Sequence, residues 1–260
     1  MAKFEALFFD MDGTLVESKS LAKASFYEGF AKAGYEISLE PWPYSGRTDN
    51  DIIEEFLSNF GLTGERRAEA KEEIVGYILQ SIFRMIEEKG LNANPGIIEL
   101  IAKLNEMKLY PGLLTGNMEA IVEPKLRAAG MKREDFAYGG FGDDSTCRAD
   151  TARKALASAS EFLGHEVDPE RCLVIGDTPN DIACARAVGA KALAVATGKF
   201  TMEELRKHQP DFLLPDLTDI PGFLEMIGAC PYLVSGIRRG RIKGRGEQSP
   251  LTSVRKPGAD

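Results

Sequence analysis

Histidine is almost missing from this chain: there are two, His165 and His208, in 260 residues. Both fall in helix-flanking or surface segments away from any acid cluster, so a histidine-centred nucleophilic triad is not expected. Cysteine is nearly as scarce. Cys147, Cys172, Cys184 and Cys230 form no CxxC pair and have no partnering histidines, which leaves four reduced thiols rather than a zinc site or a disulfide framework. No run approaches the roughly 18 apolar residues that a membrane span needs. The chain enters a strand-like segment directly, without the basic start and long apolar stretch of a secretory signal, so a cytoplasmic location and no membrane partner are expected. Positive charge is also short, with 32 Lys and Arg against 40 Asp and Glu and a net charge of −8. Nucleic acid requires a basic face and is not an expected partner of the body of the chain; any acidic substrate must be met locally.

What is present reads as an ordinary globular composition, 43% hydrophobic and 28% charged, with length for one large domain or a core bearing an insertion. The segment FEALFFDMDGTLVES opens it with a short apolar strand, Ala6 to Phe9, followed at once by two acids, Asp10 and Asp12. From residue 17 to 90 the pattern is helical throughout. Ala22, Phe26, Phe30 and Ala33 recur at helical spacing, then Ile52, Ile53, Phe56, Leu57 and Phe60, then Ile74 to Ile86 with a stop at Gly90. After Asn94-Pro95-Gly96, where Asn94 is placed to cap and Pro95 to take the first helical position, helices alternate with short apolar runs. The runs are Leu113-Leu114, Phe136 to Phe141, Cys172 to Ile175, Ala192 to Val195 and Phe212 to Leu214. This alternation predicts an α/β fold, a Rossmann-like parallel sheet in a three-layer α/β/α core, interrupted by an all-helical insertion. The core is expected over residues 1–16 and 91–227, the helical insertion over 17–90. A tail over 228–260, rich in Gly, Pro, Ser and Arg, is expected to be disordered and basic.

Parallel sheets gather active residues in the crevice at the carboxyl ends of their strands. Four motifs fall at such positions: DMDGTL, LLTGN, DDSTCRAD and VIGDTPND. Each has a bland reading alone, since Asp-Gly makes turns, Thr-Gly-Asn and Asp177 suit helix starts, and a lone arginine usually faces water. In this order, each at a strand end, they resemble the haloacid dehalogenase-like superfamily, in its phosphatase branch with a helical cap inserted after the first motif. The resemblance runs from about Lys3 to Ile227 and is nearest to phosphoglycolate phosphatases. It implies that Asp10 attacks phosphorus to form an aspartyl-phosphate and that Asp12 serves as general acid and base. Thr115 and the backbone of Gly116, with Asn117 close by, would hold phosphoryl oxygens. Magnesium would be bound by Asp10, Asp12 and Asp177, with Asp181 supporting that site. The implied partner is a small phosphorylated substrate.

The residues themselves agree with those roles. Asp10 and Asp12 are two apart, so side chains leaving an extended strand project to one side. A phosphate dianion about 4 Å from a carboxylate is opposed by roughly 8 kcal/mol at an effective dielectric near 20, so positive charge must be present. Oxygen ligands without thiolate or imidazole favour magnesium over zinc. A side-chain cation is expected as well. The family's third motif usually supplies lysine; here Arg148 is the choice, at the loop-helix junction, and Lys154 the substitute. A further departure is Pro111, which places the start of its strand just beyond it. Within YSGRTDNDI, Thr48 suits a helix cap, with Asp49 and Asp51 at the positive helix end, and Arg47 is either a substrate-binding cation or an exposed charge.

Two other readings compete. A β-phosphoglucomutase-like phosphomutase would carry a hinge histidine soon after the first motif, and LVESKSLAKAS has none. A binding or regulatory protein could reuse the fold, though it would not need Asp10, Asp12, Thr115, Asp177 and Asp181 together. True dehalogenases lack the second acid of the first motif, so Asp12 argues against carbon-halogen cleavage.

Overall fold

The computed structural model describes residues 3–17, 21–38, 44–143 and 145–229. Trp42, Cys230 and the basic tail lie outside them, and so does the expectation attached to that tail. β1 (Ala6–Phe9) is buried at every residue, as a strand covered on both faces must be. Three helices follow, α1 (Leu21–Lys32), α2 (Asp49–Asn59) and α3 (Gly64–Lys89), before the alternating part begins with α4 (Ile97–Glu106). The rest is β2 (Pro111–Leu114), α5 (Glu119–Ala128), β3 (Tyr138–Gly140), α6 (Arg148–Leu163), β4 (Cys172–Gly176), α7 (Pro179–Ala187), β5 (Lys191–Val195), α8 (Met202–Lys207), β6 (Phe212–Leu214) and α9 (Ile220–Met226).

The six strands form one parallel sheet in the order β3-β2-β1-β4-β5-β6. Alternate residues divide between its two faces, as the two-residue period of a strand requires. Leu7, Phe9, Leu113, Ile175 and Val195 join the cluster with α4, α5 and α9, whereas Ala6, Phe8, Val174 and Ala194 join that with α6, α7 and α8. The second face is lined with small residues, and α6 meets it with Ala152, Ala155 and Ala159. The approach is close enough that a Cβ on Gly140 would stand 2.3 Å from the Thr151 carbonyl oxygen.

β1 lies between β2 and β4 and is the strand from which the chain departs into the inserted helices. Their two linkers run side by side: Glu17 N–H donates to Asn92 O at 2.9 Å and Asn94 N–H to Leu15 O at 2.9 Å. Within the insertion α1 packs on α3 at Gly29, where a Cβ would be 2.4 Å from Ile78 Cγ1.

Two local expectations are corrected. Pro111 is the first residue of β2, opposite Leu7, rather than a residue outside it. A strand tolerates proline at that position because its missing N–H interrupts little of the ladder. Here the Tyr138 hydroxyl bridges the gap, accepting from Leu7 N–H at 3.2 Å and donating to Tyr110 O at 2.8 Å. Its ring crosses Gly112, where any Cβ would lie 2.1 Å from Tyr138 Cε2. Asn94 does not cap α4, and Pro95 precedes the helix. The cap position is Gly96, left-handed at φ +80°, and the Asn94 amide is spent on the carbonyls of Gly13 and Thr14, both at 2.9 Å.

Candidate active site

The acids of the first motif stand where β1 ends and the chain turns sharply. Leu15 and Val16 N–H groups both converge on the Met11 carbonyl, at 2.9 and 3.0 Å. Gly13 takes φ +90°, and a Cβ there would meet Asp177 Oδ2 at 2.5 Å, so both backbone angle and space demand glycine. Asn94, together with the Thr197 hydroxyl at 2.6 Å, satisfies the Gly13 carbonyl. This turn therefore holds Asp10 and Asp12 at the rim of one cavity of about 170 Å³, which Gly116, Asn117, Arg148 and Asp177 also line.

Asp10, Asp177 and Asp181 bring carboxylate oxygens within 4.8 Å of one another, all buried. Burial, and next the Asp181 charge, push the Asp10 carboxyl from 3.8 up to about 7, against the opposing pull of Arg148. Burial and the charges of Asp181 and Asp10 raise Asp177 well above the carboxylate range too. Asp181 has both oxygens engaged: Oδ1 takes Arg148 Nη2 at 2.5 Å, and Oδ2 takes the Thr178 N–H and hydroxyl at 3.0 and 2.6 Å. Thr178, not Asp177, caps α7. The oxygens left for a cation are Asp10 Oδ2, which Arg148 does not take, and those of Asp177, whose Oδ1 meets the Thr14 hydroxyl at 3.4 Å and whose Oδ2 is backed by Gly13 and by Gly198, where a Cβ would stand 1.7 Å away. A hard, all-oxygen donor set with carboxyls this starved of positive charge fits a magnesium ion.

This crowding has a measurable consequence. The folded protein keeps protons on Asp10 and Asp177 at pH values where the unfolded chain has shed them, so the metal-free protein loses stability as pH climbs from 3.8 through about 7. In a chelator, the melting temperature should be lower at about pH 8 than at about pH 5, and magnesium should restore it at the higher pH. A metal-free protein that melts higher at the alkaline end would contradict this.

Arg148, the first residue of α6, answers part of the charge. Its Nη2 donates to Asp10 Oδ1 at 2.9 Å as well as to Asp181, while Nη1 donates to the Gly46 carbonyl at 3.1 Å. Its Nε is buried without a partner among the described residues. Lys154 is exposed on α6 and does not line the cavity.

On the other side of Asp10, Asp12 is held by two groups. Lys125 Nζ donates to both its oxygens, at 2.7 and 2.6 Å, and Asn117 Nδ2 to Oδ2 at 2.8 Å; Lys125 also binds Asn117 Oδ1 at 2.5 Å. Lys125 is not among the site residues expected from the sequence. Its sign was available: it sits with Ile121, Val122 and Leu126 on the buried face of α5, where a charge needs a partner. Thr115 does not reach the cavity wall. It is fully buried behind Gly116, and its Oγ1 accepts the Asn117 N–H at 3.2 Å, holding the turn. The exposed wall here belongs to Gly116 and Asn117.

Arg47 lines the cavity but is already committed. Its Nε meets Asp51 Oδ2 at 2.6 Å, its Nη1 meets Glu55 Oε2 at 2.7 Å, and its guanidinium stacks on Tyr44. Lys199, in the loop after β5, also lines the cavity, is exposed, and pairs with no carboxylate among the described residues.

Comparison with known proteins follows the same lines. A family model described as haloacid dehalogenase-like hydrolase matches residues 4–189. A phosphoglycolate phosphatase of Synechococcus elongatus is 28% identical over 225 residues, 83% of this chain and 95% of that protein. The pyrophosphatase PpaX of Oceanobacillus iheyensis is 23% identical over 218 residues, 82% of this chain and 94% of its own. Among solved structures, a mutant of CbbY from Rhodobacter sphaeroides in complex with xylulose-(1,5)bisphosphate superposes with a TM-score of 0.67. It is 25% identical, and the match covers 83% of this chain and 96% of that one.

Proposed function

Since the chain belongs to the haloacid dehalogenase-like hydrolase family and is a hydrolase of phosphoric esters, we propose that it is a magnesium-dependent phosphatase of small phosphorylated metabolites, working through an aspartyl-phosphate at Asp10. The observation that carries this reading is the convergence of Asp10, Asp12, Arg148 and Asp177 on one small cavity. An Asp10 carboxylate oxygen attacks phosphorus; the bond to the leaving oxygen breaks, and that oxygen takes a proton from Asp12. Asp12 then removes a proton from water as the water attacks phosphorus, which frees phosphate and returns the Asp10 carboxylate. The Asp10 and Asp177 carboxylates and the Asp12 backbone carbonyl would hold the magnesium ion, with Asp181 supporting that site and orienting Arg148 beside it. When bound, the metal supplies positive charge that offsets repulsion between nucleophile and phosphate. Arg148 adds a guanidinium between Asp10 and Asp181, and the backbone N–H of Gly116, with Asn117 close by, would meet phosphoryl oxygens.

The helices of residues 17–90 act as a cap on the core of residues 1–16 and 91–227, and the paired linkers serve as its hinge. The cavity beneath it, about 170 Å³, is smaller than the roughly 300–1,000 Å³ of drug-sized ligand pockets, which favours a short leaving group. Relatives named for phosphoglycolate and pyrophosphate, and a neighbour complexed with a sugar bisphosphate, support a substrate bearing a second anion. With Arg47 spent on Asp51 and Glu55, Lys199 is the cation placed to meet that group. Lys199→Ala should raise KM about fivefold for such a substrate, the value of one exposed ion pair, and leave KM for a phenyl phosphate unchanged. The reading as a whole is tested by phosphate release from phosphoglycolate, pyrophosphate, a pentulose bisphosphate and simple phosphomonoesters, with and without magnesium. Release that ignores magnesium, or no release from any of them, would overturn it.

A further inference from the structure

Helix α5 begins without a cap of its own. Met118 occupies the cap position and offers no side-chain acceptor, although a helix start leaves backbone N–H groups unmet. The core meets the first helical donor, with Asp143 Oδ2 accepting the Glu119 N–H, and the inserted helices meet the one before it. Asp49 Oδ2 accepts the Met118 N–H at 2.9 Å, and the N–H of Asp49 itself donates to the Gly116 carbonyl at 2.7 Å. Asp49 is the first residue of α2 and only 6% exposed, so a buried carboxylate of the cap closes a two-bond clamp around residues 116–118 of the core. The approach is tight: a Cβ on Gly116 would stand 2.1 Å from the Arg47 carbonyl oxygen.

The chain next to Asp49 is docked by weaker means. Thr48 Oγ1 donates to Ser145 O at 2.9 Å, Asn180 Nδ2 to Ser45 O at 2.7 Å and Arg148 to Gly46 O. Each of these ends on a carbonyl of the main chain, whereas Asp49 brings an acidic side chain into the seam, its carboxyl pushed up to about 7 by burial against the pull of the Met118 N–H and Lys125. The reaction gives that carboxylate no chemical task, and burying it is costly without a compensating role. Its position supplies one. A negative group at a helix start is favoured by the helix dipole, and α5 is the helix that carries Lys125, whose ammonium grips Asp12 and Asn117.

We propose that Asp49 is a positioning residue that couples cap closure to the catalytic acid. With the cap closed, Asp49 caps α5 and fixes residues 116–118, and so holds Asn117 and Lys125 against Asp12. With the cap open, α5 loses that cap and the turn that faces the phosphoryl group is released. The inference rests on the phosphatase reading for its kinetic consequence, while its structural consequence can be measured without turnover.

Two variants and one measurement on the unaltered protein test it. Asp49→Ala removes the acceptor and should lower kcat about tenfold; Asp49→Asn keeps an acceptor oxygen and should recover most of that loss. Trp42 is the chain's single tryptophan, two residues ahead of Tyr44, so its fluorescence serves to follow inorganic phosphate binding in the presence of magnesium. Half-saturation should need roughly tenfold more phosphate in Asp49→Ala than in the wild type. Hydrogen exchange on the wild type asks the same question without a variant. Adding magnesium and inorganic phosphate should protect the Met118 amide and residues 45–49 together, and protection of one segment alone, or of neither, would overturn the coupling. An Asp49→Ala protein that matches the wild type in kcat and in phosphate titration would also overturn it and leave the phosphatase reading standing. A wild type that releases phosphate from nothing would instead defeat the phosphatase reading, with the exchange measurement still deciding the clamp.

Discussion

Asp10→Asn should abolish magnesium-dependent phosphate release, by at least about 10⁴-fold in kcat, and leave the protein folded. The two halves of this expectation come from the same geometry. Asp10 is the acid at the end of β1 that lines the cavity, and its neighbours are held to other partners, Asp12 by Lys125 and Asn117 and Asp181 by Arg148 and Thr178. For stability the acid is a burden. Burial and the neighbouring Asp181 and Asp12 push its carboxyl up to about 7, so a neutral amide of the same shape relieves repulsion at neutral pH. Arg148 keeps Asp181 as its partner in the variant. The melting temperature of metal-free Asp10→Asn at pH 8 should therefore equal or exceed that of the wild type, the pattern expected where a site is arranged for chemistry at the expense of stability. A variant that loses activity because it unfolds would refute that half of the account.

The second large effect belongs to Lys125. Lys125→Met should lower kcat/KM for an alkyl phosphate by about 10²- to 10⁴-fold, the usual range of a general acid, with a much smaller loss for an aryl phosphate. The difference arises at the leaving oxygen. An alkoxide is a strong base and needs the proton from Asp12 as the bond to phosphorus breaks, whereas a phenolate with electron-withdrawing groups leaves without it. Lys125 and Asn117 fix Asp12 at this position, so removing the ammonium frees the acid to swing away. Methionine fills the space of the lysine stem among Ile121, Val122 and Leu126. Because the Asp12 side chain is 21% exposed, against 1% for Lys125, the abandoned carboxylate can hydrate. The stability loss should then stay below the roughly 3–5 kcal/mol of breaking a fully buried pair. Equal losses for alkyl and aryl phosphates would place Lys125 outside acid catalysis.

Much of this arrangement could be read from local sequence. Strands β1, β4 and β5 are continuous apolar runs of the kind a doubly covered parallel sheet demands, and Asp10, Asp12 and Asp177 stand just beyond such runs. Arg148 was legible because a loop-helix junction beside a strand end is where a cation can face the crevice. What escaped were the roles fixed by partners far away in the chain. Lys125 meets Asp12 across 113 residues, and Asp49 meets Met118 across 69; neither spacing leaves a local mark beyond a charge at a buried position. Asn94 looks like a helix cap because its neighbours are Pro95 and Gly96, yet the carbonyls of Gly13 and Thr14 claim its amide. Thr115 is expected at the phosphate, and the fold adds a partner that the sequence did not show, the Asn117 N–H that its Oγ1 accepts. Arg47 has two readings from the sequence, substrate cation or surface charge, and neither shows that its Nε and Nη1 meet Asp51 and Glu55, one turn and two turns along the chain. In each case the side chain type was informative, and the partner was supplied by the fold.

The measurement closest to the central claim is a rapid acid quench of the wild-type protein during turnover of a phosphate-labelled substrate with magnesium, followed by peptide mapping. The account predicts label on the peptide carrying Asp10, forming and decaying at rates that match steady-state turnover, and none in Asp10→Asn. Turnover that proceeds with the protein unlabelled, or with label on any other residue, would contradict it.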